Sequence, residues 1–209
     1  MGPLVRARAT NEVCDPAGGP CAPRGREKRL QEFAAGRKCA AQALMDAGAP
    51  DLTVGVSRDR APIWPPGFVG SITHSNSFAW AAVARATDLR SLGVDSEPLF
   101  DDGAWSEAIP LALDATERAR VEGKCRRELG TVAFSAKESL FKCLYPCAGL
   151  FFDFQDAELE WVTSDGDARG TFGLRLRRGI GAEFPKDLRL SGRYSIELDH
   201  AHTAVELPP

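Results

Sequence analysis

The chain has 209 residues, 44% of them hydrophobic and 26% charged, which is an ordinary soluble composition. Lysine plus arginine number 26 against 29 aspartate plus glutamate, a net of −3, so nothing in the balance asks for nucleic acid or an anionic membrane surface. That length suits one large domain or two of about 100 residues each. The six cysteines at 14, 21, 39, 125, 143 and 147 form no Cys-x-x-Cys pair. The first residues carry no apolar signal core, Arg6 stands where a myristoylation signal wants Ser or Thr, and the longest apolar run, Phe78 to Ala84, is too short to cross a bilayer. Free thiols and a cytoplasmic location are expected.

In chain order, residues 11–25 are rich in proline and glycine and read as a loop. Arg26 to Ala47 reads as a helix, with Leu30, Phe33, Ala34, Ala40, Ala41, Leu44 and Met45 at helical spacing and Gly48 with Pro50 as its stop. Its other face carries Arg29, Arg37 and Lys38, an anion-binding face or a plain solvated one. Thr53 to Ser57 reads as a short strand, Arg58 to Pro62 as a turn, and Pro62, Pro65, Pro66 and Gly67 as an extended crossing. His74 follows Gly70-Ser71-Ile72-Thr73 at a polar boundary, where an imidazolium can meet a phosphate or simply a neighbouring side chain.

Leu92-Gly93-Val94-Asp95 reads as a strand ending at Pro98. Its period of two puts Asp95 and Glu97 on one face, with Ser96 turned away. Phe100 to Pro110 is irregular, with a turn at Asp101-Asp102-Gly103, and Asp114 to Arg127 reads as an exposed, charged helix. Thr131 to Leu144 reads as a helix that buries Phe134, Phe141 and Leu144 and stops at Tyr145-Pro146. Glu138 and Lys142, four apart, share a face of it. Ser135-x-x-Glu138 has the spacing of a capping box, unless Thr131 is the cap. Two carboxylates about 4 Å apart repel by roughly 4 kcal/mol at an effective dielectric near 20, so if Asp95, Glu97 and Glu138 converge they call for a cation. The last third reads as antiparallel strands at Ala157–Val162, Gly170–Arg177, Arg189–Leu198 and His202–Leu207, with a hairpin turn at Asp165-Gly166 and with His200 and His202 on the surface.

Five stretches in order, Gly36-Arg37-x-Cys39-Ala40, Trp64-Pro65-x-Gly67, Gly70-Ser71-Ile72-Thr73-His74, Gly93-Val94-Asp95-x-Glu97 and Phe134-x-x-Lys137-Glu138-Ser139, resemble the Sfp-type 4′-phosphopantetheinyl transferases, in particular the enterobactin synthase component D-like branch. The resemblance covers residues from about 29 to 155 and departs from the usual pattern at Ser96, Ser139 and Phe134. It implies an α+β pseudo-dimer of two similar halves, antiparallel sheets packed with helices. The segments would be a flexible N-terminal segment over 1–25, a first half over 26–100 and a second over 101–209. It implies transfer of the phosphopantetheine arm of coenzyme A to a serine of an apo acyl or peptidyl carrier protein by a monomer, with Mg²⁺. Asp95, Glu97 and Glu138 would hold the metal, Asp95, Glu138 and Lys142 would be catalytic, and Arg29, Arg37, Arg58, Arg60, Thr73 and His74 would meet coenzyme A, together with Asp95, Glu138 and Lys142. The alternatives are another Mg²⁺-dependent phosphotransferase or hydrolase and a silent module that binds carrier proteins or coenzyme A.

Overall fold

The computed structural model describes residues 6–10, 26–75, 78–123, 126–166 and 168–209. The expected loop at 11–25 and Cys14, Cys21 and Cys125 lie outside them. The chain divides into two compact units, one running to Arg90 together with Pro208–Pro209, the other from Ser91 to Leu207. Each packs helices on an antiparallel sheet, and the architecture is α+β as expected.

In the first unit, β1 (Arg6–Thr10), β5 (Phe78–Arg85) and β4 (Phe68–Ser75) pair in the order β1-β5-β4. Helix α1 (Arg26–Asp46) lies on β4 and β5, and the small hairpin β2 (Gly55–Val56) and β3 (Pro62–Ile63) stands beside it. The helix stops at Gly48, whose φ of 74° is the left-handed conformation glycine tolerates. Its buried face differs in part from the expected one. Gly36, Cys39, Ala40, Ala43 and Leu44 meet the sheet, Ala40 and Leu44 as expected, whereas Leu30 and Phe33 stay 60% and 47% exposed. Close approach shows at Gly36, where a Cβ would fall 2.8 Å from Ile72 Cγ2, so a larger side chain at that position would clash.

In the second unit, β6 (Ser91–Pro98), β7 (Ala157–Ser164), β8 (Arg169–Leu176), β9 (Arg189–Glu197) and β10 (His200–Leu207) pair in the order β6-β10-β9-β8-β7. Strand β6, which the sequence reading grouped with the first half, is hydrogen-bonded to β10 and belongs here. Gly166, at φ 92°, makes the expected β7–β8 turn. Helices α2 (Asp102–Ala112), α3 (Ala115–Val121) and α4 (Arg126–Ala148) complete the unit, and α4 lies along β6 and β10.

Three helical boundaries correct the sequence reading. Residues 102–112 are helical, not irregular, because Asp101 caps them by accepting from Ala104 N, and Ile109 and Ala112 bury at helical spacing. The charged helix is only Ala115–Val121, started by a reciprocal Asp114–Glu117 capping box. Helix α4 begins earlier, at Arg126, and runs through Pro146 to Ala148, with Gly149 after it at φ 62°. Thr131 and Ser135 are therefore interior residues, and neither is a cap.

Glu117, expected on an exposed helix, is fully buried and pairs with the buried Lys137 at 2.7 Å. Its carboxylate also accepts from Leu159 N and Asp114 N, while the Lys137 ammonium donates to the carbonyls of Ala112 and Phe154. Burial holds the Lys137 pKa below its ordinary value, against the pull of Glu117. This pair ties α3 and α4 to β7, so the lysine beside Glu138 is part of the core.

Candidate active site

Strand β6 and helix α4 run past each other in register. Ser135 meets Asp95, the backbone of Ser139 meets Gly93, and Ser91 donates to the carbonyl of Cys143 at 2.6 Å. Four helical residues rise about 6 Å and two strand residues about 6.6 Å, so the two elements stay matched over this span. Gly93 is what allows the contact: a Cβ there would lie 1.9 Å from the Ser139 carbonyl oxygen. The matching brings every second residue of β6, including Asp95 and Glu97, to the helix.

Asp95 is 2% exposed. Its Oδ2 accepts from Ser135 Oγ at 2.7 Å and its Oδ1 from Lys142 Nζ at 2.6 Å. Lys142 reaches it because helical side chains lean toward the helix N-terminus. Burial pushes the Glu97 carboxyl up to about 7, with Asp95 and Glu138 pushing the same way and Lys142 opposing. Burial, then Asp95, also raises Glu138, again against Lys142. The structure thus brings Asp95, Glu97, Glu138 and Lys142 into one electrostatic cluster in which three acids share one lysine.

Among the described residues, no group of three or more His, Cys, Asp or Glu side chains is arranged to hold a metal ion as it stands. The Lys142 ammonium already occupies one Asp95 oxygen. The donor chemistry nevertheless suits a hard divalent cation: the carboxyls are oxygen donors, two of them with ionisation opposed by their neighbours, and a second positive charge would relieve that opposition.

Sequence reasoning saw no chemistry in the last third, yet β10 supplies two residues to this layer. Thr203 lies opposite Asp95 in the β6–β10 ladder and touches Ser135 and Ser139. His202, expected on the surface, is half-buried on the other face, where its Nδ1 lies 2.9 Å from Ser96 Oγ. Burial first, then His200, lowers its pKa. The polar residues at 96 and 139 thus each have a partner across the β6–β10–α4 layer. Only knowledge of the β6–β10 pairing could have revealed them. A cavity of about 120 Å³ lies beside Glu138, walled by Phe141, Phe151, Phe152 and Phe154 with Lys137, Asp153 and Ala157.

Apart from Asp95, Glu138 and Lys142, the expected coenzyme A ligands lie on the first unit. Arg37 donates to the carbonyls of Val54 and Gly55, which fastens α1 to the β2 segment, and burial lowers its pKa. Arg29 is exposed on α1, and Arg58 and Arg60 are exposed in the β2–β3 turn. His74 is half-exposed with Nδ1 3.8 Å from Glu32 on α1. Thr73, its neighbour on β4, is buried and points away from α1, so the two side chains lie on opposite faces of the sheet.

The clustered acids and lysine of the second unit suit a hard cation, and the exposed arginines of the first unit suit an anion. Family models sharpen this: residues 22–84 match the 4′-phosphopantetheinyl transferase N-terminal domain and residues 91–188 the 4′-phosphopantetheinyl transferase superfamily. The chain is 44% identical over 154 residues to 4′-phosphopantetheinyl transferase Svp of Streptomyces mobaraensis, covering 71% of this chain and 60% of Svp. It is 31% identical over 195 residues to 4′-phosphopantetheinyl transferase PptT of Mycobacterium tuberculosis, covering 92% and 85%. With enterobactin synthase component D of Salmonella typhi the identity is 37% over 117 residues, covering 55% and 48%. The chain belongs to the 4′-phosphopantetheinyl transferase family, as its motifs suggest. No described helix is long and apolar enough to cross a membrane.

Proposed function

We propose that the protein transfers the 4′-phosphopantetheine arm of coenzyme A to a serine hydroxyl of an apo acyl or peptidyl carrier protein, releasing adenosine 3′,5′-bisphosphate, with Mg²⁺ as cofactor. The observation that carries this reading is the cluster in which Asp95, Glu97 and Glu138 share Lys142. Asp95, Glu97 and Glu138 would hold Mg²⁺, which when bound neutralises charge on the coenzyme A pyrophosphate.

The remaining work falls to the side chains. Glu138, whose carboxyl pKa is raised by burial and by Asp95, would take the proton of the attacking serine, directly or through water. Lys142 supplies positive charge beside the phosphates, in the position it takes here next to Asp95. Arg29, Arg58, Arg60 and His74 are exposed cations or potential cations on the first unit that suit the phosphates of the nucleotide end. The aromatic cavity beside Glu138 suits the uncharged pantetheine arm.

The test is to incubate the protein with coenzyme A, Mg²⁺ and an apo carrier protein and to weigh the carrier by mass spectrometry. A gain of one phosphopantetheine mass, lost with chelator and in Glu138→Gln and Asp95→Ala, is the expected result. No gain on several carriers would overturn the transferase reading, and hydrolysis of coenzyme A without transfer would move it to a hydrolase.

A further inference from the structure

Ser135, Ser139 and Thr203 are fully buried hydroxyls that the reaction scheme above leaves unused. They lie in a connected line. Ser139 Oγ is 2.6 Å from Thr203 Oγ1, Thr203 Oγ1 is 2.9 Å from both the hydroxyl and the carbonyl oxygen of Ser135, and Ser135 Oγ is 2.7 Å from Asp95 Oδ2. An ionised carboxylate only accepts, so the single proton of the Ser135 hydroxyl goes to Asp95. The Thr203 proton is then shared between the hydroxyl and carbonyl oxygens of Ser135, and the line runs in one direction, Ser139 to Thr203 to Ser135 to Asp95.

We propose that these three hydroxyls form a relay that positions the Asp95 carboxylate, with Thr203 as its pivot. A serine inside a helix has a local alternative, the carbonyl four residues back, which for Ser135 is that of Thr131. Thr203 lessens the advantage of that alternative by directing its proton from the sheet side to the hydroxyl and carbonyl oxygens of Ser135 together. The Ser135 proton is then committed to Oδ2, the carboxylate plane is fixed, and Oδ1 stays on the side of Lys142. Two elements far apart in sequence are needed for this, the Lys-Glu helix α4 and the final strand β10. Ser135, Ser139 and Thr203 are positioning residues, since they act through Asp95.

The activity arm of the test rests on the transferase reading. Thr203→Val keeps the shape and removes the hydroxyl, Thr203→Ser restores the hydroxyl, and Ser135→Ala removes the donor itself. For Thr203→Val and Ser135→Ala, kcat should fall about tenfold, the scale of one hydrogen bond to a charged group, with KM for coenzyme A within about twofold. Thr203→Ser should recover most of it. A merely structural residue would lower the melting temperature without this split. A folded Thr203→Val with wild-type kcat, or a Thr203→Ser that fails to recover, overturns the relay. Should Thr203→Val not fold, Ser139→Ala reads the far end of the line, and an unchanged kcat there overturns it equally. Should the wild-type protein transfer nothing, the transferase reading fails and crystal structures decide the relay by themselves. An Asp95 carboxylate rotated in Thr203→Val, or in Ser139→Ala, but not in Thr203→Ser supports it, and an unrotated one overturns it.

Discussion

Gly93→Ala tests whether the β6–α4 contact builds both the fold and the site. The new Cβ would stand 1.9 Å from the Ser139 carbonyl oxygen and 2.5 Å from Cys143 N, and ordinary contact begins at 3.4 Å. These are backbone atoms of a helix, so relief requires α4 to retreat by about 1.5 Å, an overpacking displacement of the costly kind. That shift would carry the Ser91–Cys143 and Ser135–Asp95 hydrogen bonds, now 2.6 and 2.7 Å, past hydrogen-bonding range. Overpacking and two buried bonds lost together should cost about 4 kcal/mol, a large fraction of a typical domain's stability. Urea unfolding followed by circular dichroism would measure the loss, and the carrier mass assay would report the damage at Asp95. A loss under about 1 kcal/mol would refute the reasoning, because the helix would then have room that the geometry denies it.

Other consequences are independent of Gly93. Lys137→Met should destabilise the second unit by about 3 kcal/mol, the low end for breaking a buried pair, because Glu117 keeps two backbone donors. Calorimetry checks this, and an unchanged melting temperature would contradict the structural role given to Lys137. Burial pushes the Cys143 thiol up to about 12, so alkylation followed by peptide mass mapping should leave Cys143 unmodified in the native protein and modify it in urea. In protein freed of divalent metal, Glu97 has a folded pKa near 7 against an ordinary 4.5. The folded state therefore holds its proton more tightly, and this group's contribution to stability declines as pH rises from 4.5 through 7. Glu97→Gln should flatten that decline in urea midpoints taken across the window.

The motif residues were legible in the sequence to the extent that local periodicity determines them. Alternation along β6 fixed Asp95 and Glu97 on one face, and the i, i+4 spacing tied Glu138 to Lys142, because both relations depend only on the element's own geometry. What periodicity cannot carry is the partner surface. Helix α1 shows Leu30 and Phe33 as candidates for its core face, but the face that meets the sheet is Gly36, Cys39, Ala40, Ala43 and Leu44. Glu117 looked solvated because it stands among charges, whereas a lysine twenty residues on and the Leu159 amide bury it. Asp101-Asp102-Gly103 looked like a turn because a capping aspartate has the same composition as one.

The polarity of the β6–β10–α4 layer also bears on function. Buried hydroxyls and carboxylates rarely improve stability over apolar residues of the same size, and a helix–sheet interface can be filled with alanine and valine. Here Ser91, Asp95, Ser135, Ser139 and Thr203 are all buried at one such interface, and each has a partner within it. Elsewhere the interior of the unit is largely apolar, with Leu140, Leu144, Leu159, Phe172 and Leu174. The exception there, Lys137 with Glu117, satisfies itself through backbone groups and reaches no second carboxylate cluster. Stability alone therefore explains one buried ionic pair but not the line of hydroxyls that ends on Asp95. That line is explained if the orientation of this carboxylate matters to the reaction, which is why its removal should appear in kcat before it appears in unfolding.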